Sequence, residues 1–216
     1  GFDIVTYTGN ETARTISHSL SAVPHMMIVK NRGTTGGWAV YHISLGTANK
    51  RLELHNGNAE DTGTGVWNDT DPTSSVFSVG DNDRITNGDT MTYVGYLFAP
   101  KQGFSKFGKY TGNGNADGAF IYTGFRPAFV MVKQSSGAGA WYIFDNKRKG
   151  YNPDNSELYP ADADAETTTD RIDLLSNGFK YRSSSVAVND SGETHIYAAF
   201  AEAPFVNSNG VPCNAR

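Results

Sequence analysis

Apolar residues in this chain come in short runs, each broken by Gly, Asn, Asp, Ser or Thr before a helical period can develop. "DIVTY" (residues 3–7) and "ARTIS" (13–17) flank the turn-forming "TGNET", which predicts a hairpin with Gly9 in left-handed backbone at its tip and Asn10 tolerating it. Sugar or metal binding by Thr8 and Asn10 is the alternative use of the same residues. "MMIVK" (26–30) is continuously apolar after Pro24, the pattern of a strand covered on both faces. "WAVYHI" (38–43), "RLELH" (51–55), "SVFSV" (75–79) and the long aromatic "TYVGYLFA" (92–99) complete a series of seven strands. A second series follows with "FVMVK", "WYIF", "IDLL", "FKYR" and "THIYAAFA". The expectation is about fourteen short strands and no helix.

The second series copies the first. At an offset of 103, Tyr7-Thr8-Gly9-Asn10 falls on Tyr110-Thr111-Gly112-Asn113, Pro24 on Pro127, and Val29-Lys30 on Val132-Lys133. Gly36 and Trp38 fall on Gly139 and Trp141, and Tyr41 on Phe144. One residue later in register, Tyr93, Tyr96, Ala99 and Pro100 meet Tyr197, Phe200, Ala203 and Pro204. Preserved order across so many features identifies a tandem duplication. The expected architecture is all-β: two tandem, closely packed β-sandwich repeats of jelly-roll type, spanning 1–102 and 103–205, with a tail at 206–216. The poorly matching middle of each repeat reads as surface loop.

Composition agrees with this picture and narrows the function. Only 38 % of the 216 residues are hydrophobic and 19 % charged, but Phe (12), Tyr (11) and Trp (3) supply bulk for a β core. A net charge of −4 with one basic cluster, residues 147–149, argues against a nucleic-acid partner. One cysteine, Cys213, excludes an internal disulfide framework. No apolar run approaches a bilayer span, so no membrane insertion is expected. The chain starts without Met, as a fragment or processed product does.

Catalytic chemistry finds no foothold in the residue pattern. There is no Gly-x-Ser-x-Gly elbow, and His18, His25, His42, His55 and His195 are scattered without metal-ligand spacing. A carboxylate pair such as Glu53 and Glu157 would be split between the two repeats, which weakens a glycosidase reading. Carboxylates at every second residue, Asp81 and Asp83 in one loop and Asp162, Asp164 and Glu166 in another, offer a structural Ca²⁺ site, with solvated loops as the alternative. No other cofactor is expected. For carbohydrate, the sequence offers Trp67 in the polar loop "GVWNDTD" beside Asn68, Asp69 and Asp71, because a ring stacks on the apolar face of a sugar. Tyr151, with Asn152 and Asp154 in the long loop of the second repeat, is a weaker platform of the same kind. Trp38 and Trp141, duplicated at strand starts, read as core anchors.

Together "GFDIVTYTGNETARTISHSL…MMIVKNR…WAVYH", "WNDTDPTSSVFSVG" and "TYVGYLFAP" resemble a repeat domain of marine bacteriophage virion proteins, and the second half looks like its partner repeat. Such domains lie toward the C-terminal ends of tail-fibre and other structural proteins, often beside a concanavalin A-like lectin domain. The resemblance implies a part of the virion, at the surface of its tail or capsid. It implies a non-enzymatic tail-fibre or tail-associated adhesin, partnered by other virion proteins and by host surface glycan, in a homo-oligomer. It supplies no catalytic or ligand residues. The alternatives are a purely structural virion protein (spacer, capsid decoration or assembly adaptor) and, further off, a polysaccharide depolymerase.

Overall fold

The computed structural model describes residues 1–81, 85–152 and 156–204. Cys213 and the tail at 206–216 lie outside them, as do Asp83 and Asp154. The chain is all-β and divides into two compact units. The first holds Gly1–Ala99 together with Ser135–Gly139, and the second holds Pro100–Gln134 and the described residues from Ala140 onward.

In the first unit the strands are β1 (Phe2–Thr8), β2 (Arg14–Ser17), β3 (Met26–Asn31), β4 (Trp38–His42), β5 (Lys50–Glu53), β6 (Asp61–Thr62), β7 (Val76–Val79) and β8 (Thr92–Phe98). A single helical turn, α1 (Thr64–Trp67), precedes β7. The large sheet runs β1-β8-β3-β4-β5-β6, and β2 pairs with β7 in a small one. Ile16, Phe77 and Val79 of the small sheet pack with Met27, Val29, Ala39, Tyr41, Tyr93 and Leu97 of the large sheet, closing a sandwich.

The second unit contains β9 (Ser105–Thr111), β10 (Phe120–Tyr122), β11 (Pro127–Gln134), β12 (Trp141–Asp145), β13 (Ile172–Leu175), β14 (Gly178–Tyr181) and β15 (Thr194–Ala201), with a helical turn α2 (Val186–Asn189). Its sheets are β12-β11-β15-β9 and β10-β14-β13. The nucleus β9-β15-β11-β12 thus repeats β1-β8-β3-β4, and β10-β14 repeats β2-β7. In both small sheets an Ile faces a Phe across the core side, Ile16 opposite Phe77 and Ile121 opposite Phe179. Beyond this shared frame the units diverge. The first extends its large sheet with β5 and β6, whereas the second adds β13 to its small sheet through a two-residue Ser176-Asn177 turn.

Two expectations are corrected here. The helical turns α1 and α2 lie within what the sequence presented as strands and loops only. More importantly, "TGNET" is not a hairpin tip: β1 pairs with β8 and β2 with β7, so the motif carries the chain from one sheet to the other. The sequence pattern could not tell these apart, because a corner and a hairpin both need small, turn-forming residues between strands.

What the duplicated Tyr-Thr-Gly-Asn motif builds is a clasp around a buried asparagine. Tyr7 Oη donates to Thr86 O at 2.6 Å, and Tyr110 Oη donates to Val188 O at 2.7 Å. The next residue in each case, Asn87 or Asn189, is completely buried. The Asn87 side chain accepts from Asn10 N (3.2 Å) and donates to Thr12 O and Gly80 O. Asn189 accepts from Asn113 N (3.0 Å) and donates to Asn115 O and Ser183 O. Each amide thus satisfies backbone groups at a corner where no strand partner can reach them. Gly9 is required for close approach and not for left-handed backbone: a Cβ there would lie 2.1 Å from Gly88 O, as one at Gly112 would from Asp190 O. The left-handed residue is Glu11 (φ 50°), matched in the second unit by Gly114 (φ 64°).

The duplicated lysine is structural as well. Lys30 Nζ donates to the carbonyls of Asn31, Thr34 and Gly36, holding the β3–β4 turn closed. Lys133, at the matching place, is fully buried and donates to Gln134 O, and burial lowers its pKa to about 8.

Candidate functional site

The structure removes Trp67 from the list of sugar platforms. Its ring is 1 % exposed, sits in the first unit's core and meets Tyr41 edge-on at 6.1 Å. The polar neighbours suggested an exposed loop, but α1 turns Val66 and Trp67 inward while the polar residues stay outside. Asn68 and Asp69 are exposed in left-handed backbone (φ 52° and 46°) that ends the helical turn. Asp71 accepts a long 3.5 Å hydrogen bond from Tyr41 Oη. The group therefore forms a loop pinned by its own tryptophan.

The long loop of the second unit is tied down in a similar way. Tyr151 is 67 % exposed, but Asn152 turns its amide onto a strand edge, donating to Leu174 O and accepting from Leu174 N, each at 3.0 Å. Glu157 is completely buried and receives Arg171 Nε (2.6 Å), Tyr159 Oη and Thr167 Oγ1 (both 2.8 Å). Arg148 bridges Asp145 and Glu166. These bonds tie Arg148 to Asp145 and Glu166, Arg171 to Glu157, and Asn152 to Leu174 of β13.

Of the calcium candidates, Asp81, Asp162 and Asp164 are exposed, and Glu166 is held by Arg148 at 2.9 Å. Among the described residues no group of three or more His, Cys, Asp or Glu side chains gathers to hold a metal. Trp141 is buried as a core anchor; Trp38 is only partly so, with Lys30 Nζ 5.8 Å from its ring centre.

Besides Tyr151, and Phe2 on β1 of the first unit (54 % exposed, its ring 4.9 Å from that of Phe98), two exposed aromatics stand together on the outer face of the second unit's small sheet. Phe120 and Tyr122 on the edge strand β10 are 46 % and 58 % exposed, while Ile121 between them is buried in the core. Strand alternation sends both rings outward, about 7 Å apart along the chain. Antiparallel register extends each ring into a row. Phe120 faces Lys180 on β14, which faces Asp173 on β13; Tyr122 faces Gly178, which faces Leu175. Gly178 keeps the floor of the second row open and close, since a Cβ there would meet Ile121 O at 2.1 Å.

Each row carries a lysine. From β9, Lys106 Nζ lies 5.2 Å from the centre of the Tyr122 ring and donates to Tyr122 O at 2.8 Å. Lys180, the cross-strand partner of Phe120, reaches Asp117 at 2.6 Å and holds that exposed carboxyl below its ordinary pKa. Arg182 pairs with Asp173 at 3.1 Å, leaving the other Asp173 oxygen buried without a partner. The face combines flat apolar surface with hydrogen-bond donors at its rim, which suits a ligand that has an apolar side and a polar perimeter.

Neither Phe120 nor Tyr122 was a candidate from the sequence. The signal was present in the alternation Phe-Ile-Tyr, but three residues make a faint strand, and its meaning depends on which side faces the core. Superposing the core pairs Ile16–Phe77 and Ile121–Phe179 places Thr15 and Ser17 where the second unit has Phe120 and Tyr122.

A family model described as a domain of unknown function (DUF7483) matches residues 1–204, and the chain belongs to that family. The match covers both units. No curated protein and no solved structure matches the chain.

Proposed function

We propose that this member of the DUF7483 family is a non-catalytic attachment module of a bacteriophage virion, in a tail fibre or tail-associated adhesin, that takes up glycan on the host surface. The virion assignment rests on the sequence resemblance. The binding assignment rests on one observation: two rings stand exposed on the second unit at positions where its duplicate carries Thr15 and Ser17. Burying large rings is the default in a β-sandwich, and keeping two about half in water forfeits about 1 kcal/mol of transfer free energy each. A glycan recovers that energy by stacking. Individual sites of this kind are weak, and a homo-oligomeric fibre compensates by engaging several at once.

The test is binding of the full chain to host cells and to a glycan array, with Phe120→Thr/Tyr122→Ser alongside. Both replacements copy the first unit and preserve the core residue Ile121. Saturable binding that disappears in the folded double variant is the expected result. A folded wild-type chain that binds no cell and no glycan points to a spacer or assembly adaptor.

A further inference from the structure

We infer that the ligand of this face is an anionic polysaccharide, and that each chain binds it once, through the second unit. The inference rests on the glycan reading above and adds charge and stoichiometry to it. The carrying observation is that each row of the sheet combines an exposed ring with a lysine: Lys106 Nζ lies 5.2 Å from the Tyr122 ring centre, and Lys180 is the cross-strand partner of Phe120. A polymer that presents a sugar face and an acidic group in each repeat meets both rows in succession. Each ring takes an apolar sugar face, and each ammonium donates a charge-assisted hydrogen bond to a carboxylate or sulfate.

The local charge runs against that of the whole molecule. Lys106, Lys180 and Arg182 stand against Asp117 and Asp173 here, in a chain of net charge −4. Among the described residues no carboxylate pairs with Lys106. Asp117, the partner of Lys180, has a side chain 78 % exposed. An exposed pair of this kind is weak, so an incoming anion can replace it.

The first unit lacks every part of the device. Thr15, Ser17 and Ser78 occupy the places of Phe120, Tyr122 and Lys180. Asp3, at an offset of 103 from Lys106, reverses its charge and is engaged by Ser19 through its backbone N–H and its hydroxyl. One site per chain follows.

The experiment titrates the full chain with alginate, a uronic-acid polymer, and with laminarin, a neutral glucan of similar length, from about 20 mM to about 500 mM salt. Alginate is expected to bind with one site per chain and to weaken at least about tenfold over that salt range. Lys106→Gln/Lys180→Ser is expected to weaken it by a similar factor with an unchanged unfolding curve, and Phe120→Thr/Tyr122→Ser to abolish it. A DNA duplex is expected not to displace it, because its bases are stacked away and offer charge without a sugar face. Laminarin binding as tight as alginate, or alginate binding indifferent to salt and to the lysine variant, overturns the anionic assignment while leaving the glycan reading standing. Two sites per chain overturns the stoichiometry. Displacement by DNA with retention in the ring variant overturns stacking. Failure of both polymers while host cells still bind through Phe120 and Tyr122 overturns this inference alone; failure of the cells as well overturns the glycan reading with it.

Discussion

The two units agree where the chain turns between sheets and disagree where the small sheet faces water. Around the clasp, Tyr7 and Tyr110, Gly9 and Gly112, and Asn87 and Asn189 do the same work with nearly the same distances. On the outer face, Thr15, Ser17, Ser78 and Asp3 stand opposite Phe120, Tyr122, Lys180 and Lys106. A position whose side chain satisfies buried backbone has one workable chemistry, whereas an outward position on a strand is free to change without disturbing the fold. The duplication thus separates scaffold from surface inside a single chain.

The sharpest way to break the comparison is to remove the clasp in each unit. Asn87→Ala leaves Asn10 N, Thr12 O and the buried Gly80 O without their side-chain partner, and Asn189→Ala does the same to Asn113 N, Asn115 O and Ser183 O. A buried group left unsatisfied costs about 1–3 kcal/mol, and the exposed partners recover part of theirs from water, so a loss of about 2 kcal/mol is expected from either variant. Denaturant unfolding checks the size, and hydrogen exchange checks that the loosened amides lie at the altered corner. Losses of equal size support one device used twice. A loss below about 0.5 kcal/mol in either unit, the range of an ordinary surface substitution, means that the asparagine there is incidental.

These clasps also mark how far the sequence could be read. Apolar runs located most strands, with "IDLL" and "THIYAAFA" matching β13 and β15 end to end. The internal repeat was plain because Tyr-Thr-Gly-Asn, Val-Lys and Trp recur in order. Strand pairing was less legible: β1 and β2 are neighbours in sequence yet belong to different sheets, and only partners about 60 to 95 residues away decide that. The site was harder still. Trp67 looked exposed because its neighbours are polar, but a single helical turn buried it. Phe120 and Tyr122 did not stand out at all, since a three-residue strand carries little pattern, and their exposure with Ile121 buried between them shows them facing outward.

A subtler difference sits beside the clasp, where the register corrects the alignment expected from the sequence: Tyr93 lies opposite Tyr7 as His195, not Tyr197, lies opposite Tyr110, so the second unit replaces a tyrosine by a histidine. Tyr93 stacks on Tyr7 at 5.1 Å, and its hydroxyl accepts from Gly88 N at 2.8 Å. His195 stacks on Tyr110 at 4.9 Å, is completely buried, and leaves Nε2 without a partner. Burial holds its pKa below the ordinary 6.5, so the folded state favours the neutral ring. The unfolded chain therefore binds more protons as pH falls through about 6.5, and the stabilisation present above that value is lost toward the folded pKa. His195→Tyr, which copies the first unit, is expected to flatten the fall in melting temperature between pH 7 and pH 5. It will not abolish it, because burial lowers His25 in the first unit in the same direction. An unchanged pH profile in the folded variant shows that His195 does not titrate differently on unfolding.

The smallest expected effect is also the cleanest test that the two clasps share a backbone. Glu11 and Thr90 hold φ of 50° and 57°, where the second unit has Gly114 and Gly192 at 64° and 84°. The hydrogen bonds confirm the match: Glu11 N and Gly114 N donate to the carbonyls of Asn87 and Asn189, and Thr90 N and Gly192 N to those of Gly9 and Gly112. Left-handed backbone costs an L-residue about 1–2 kcal/mol, and glycine gives back part of that gain through the greater entropy of the unfolded chain. Glu11→Gly and Thr90→Gly are each expected to stabilise the protein by about 0.5–1 kcal/mol, and the sites are far enough from the core for denaturant midpoints to read the change without altered slope. The converse, Gly114→Glu, is expected to destabilise by a similar amount. If Glu11→Gly destabilises instead, its side chain must supply something Gly114 does without, and the two corners are alike in path but not in energy.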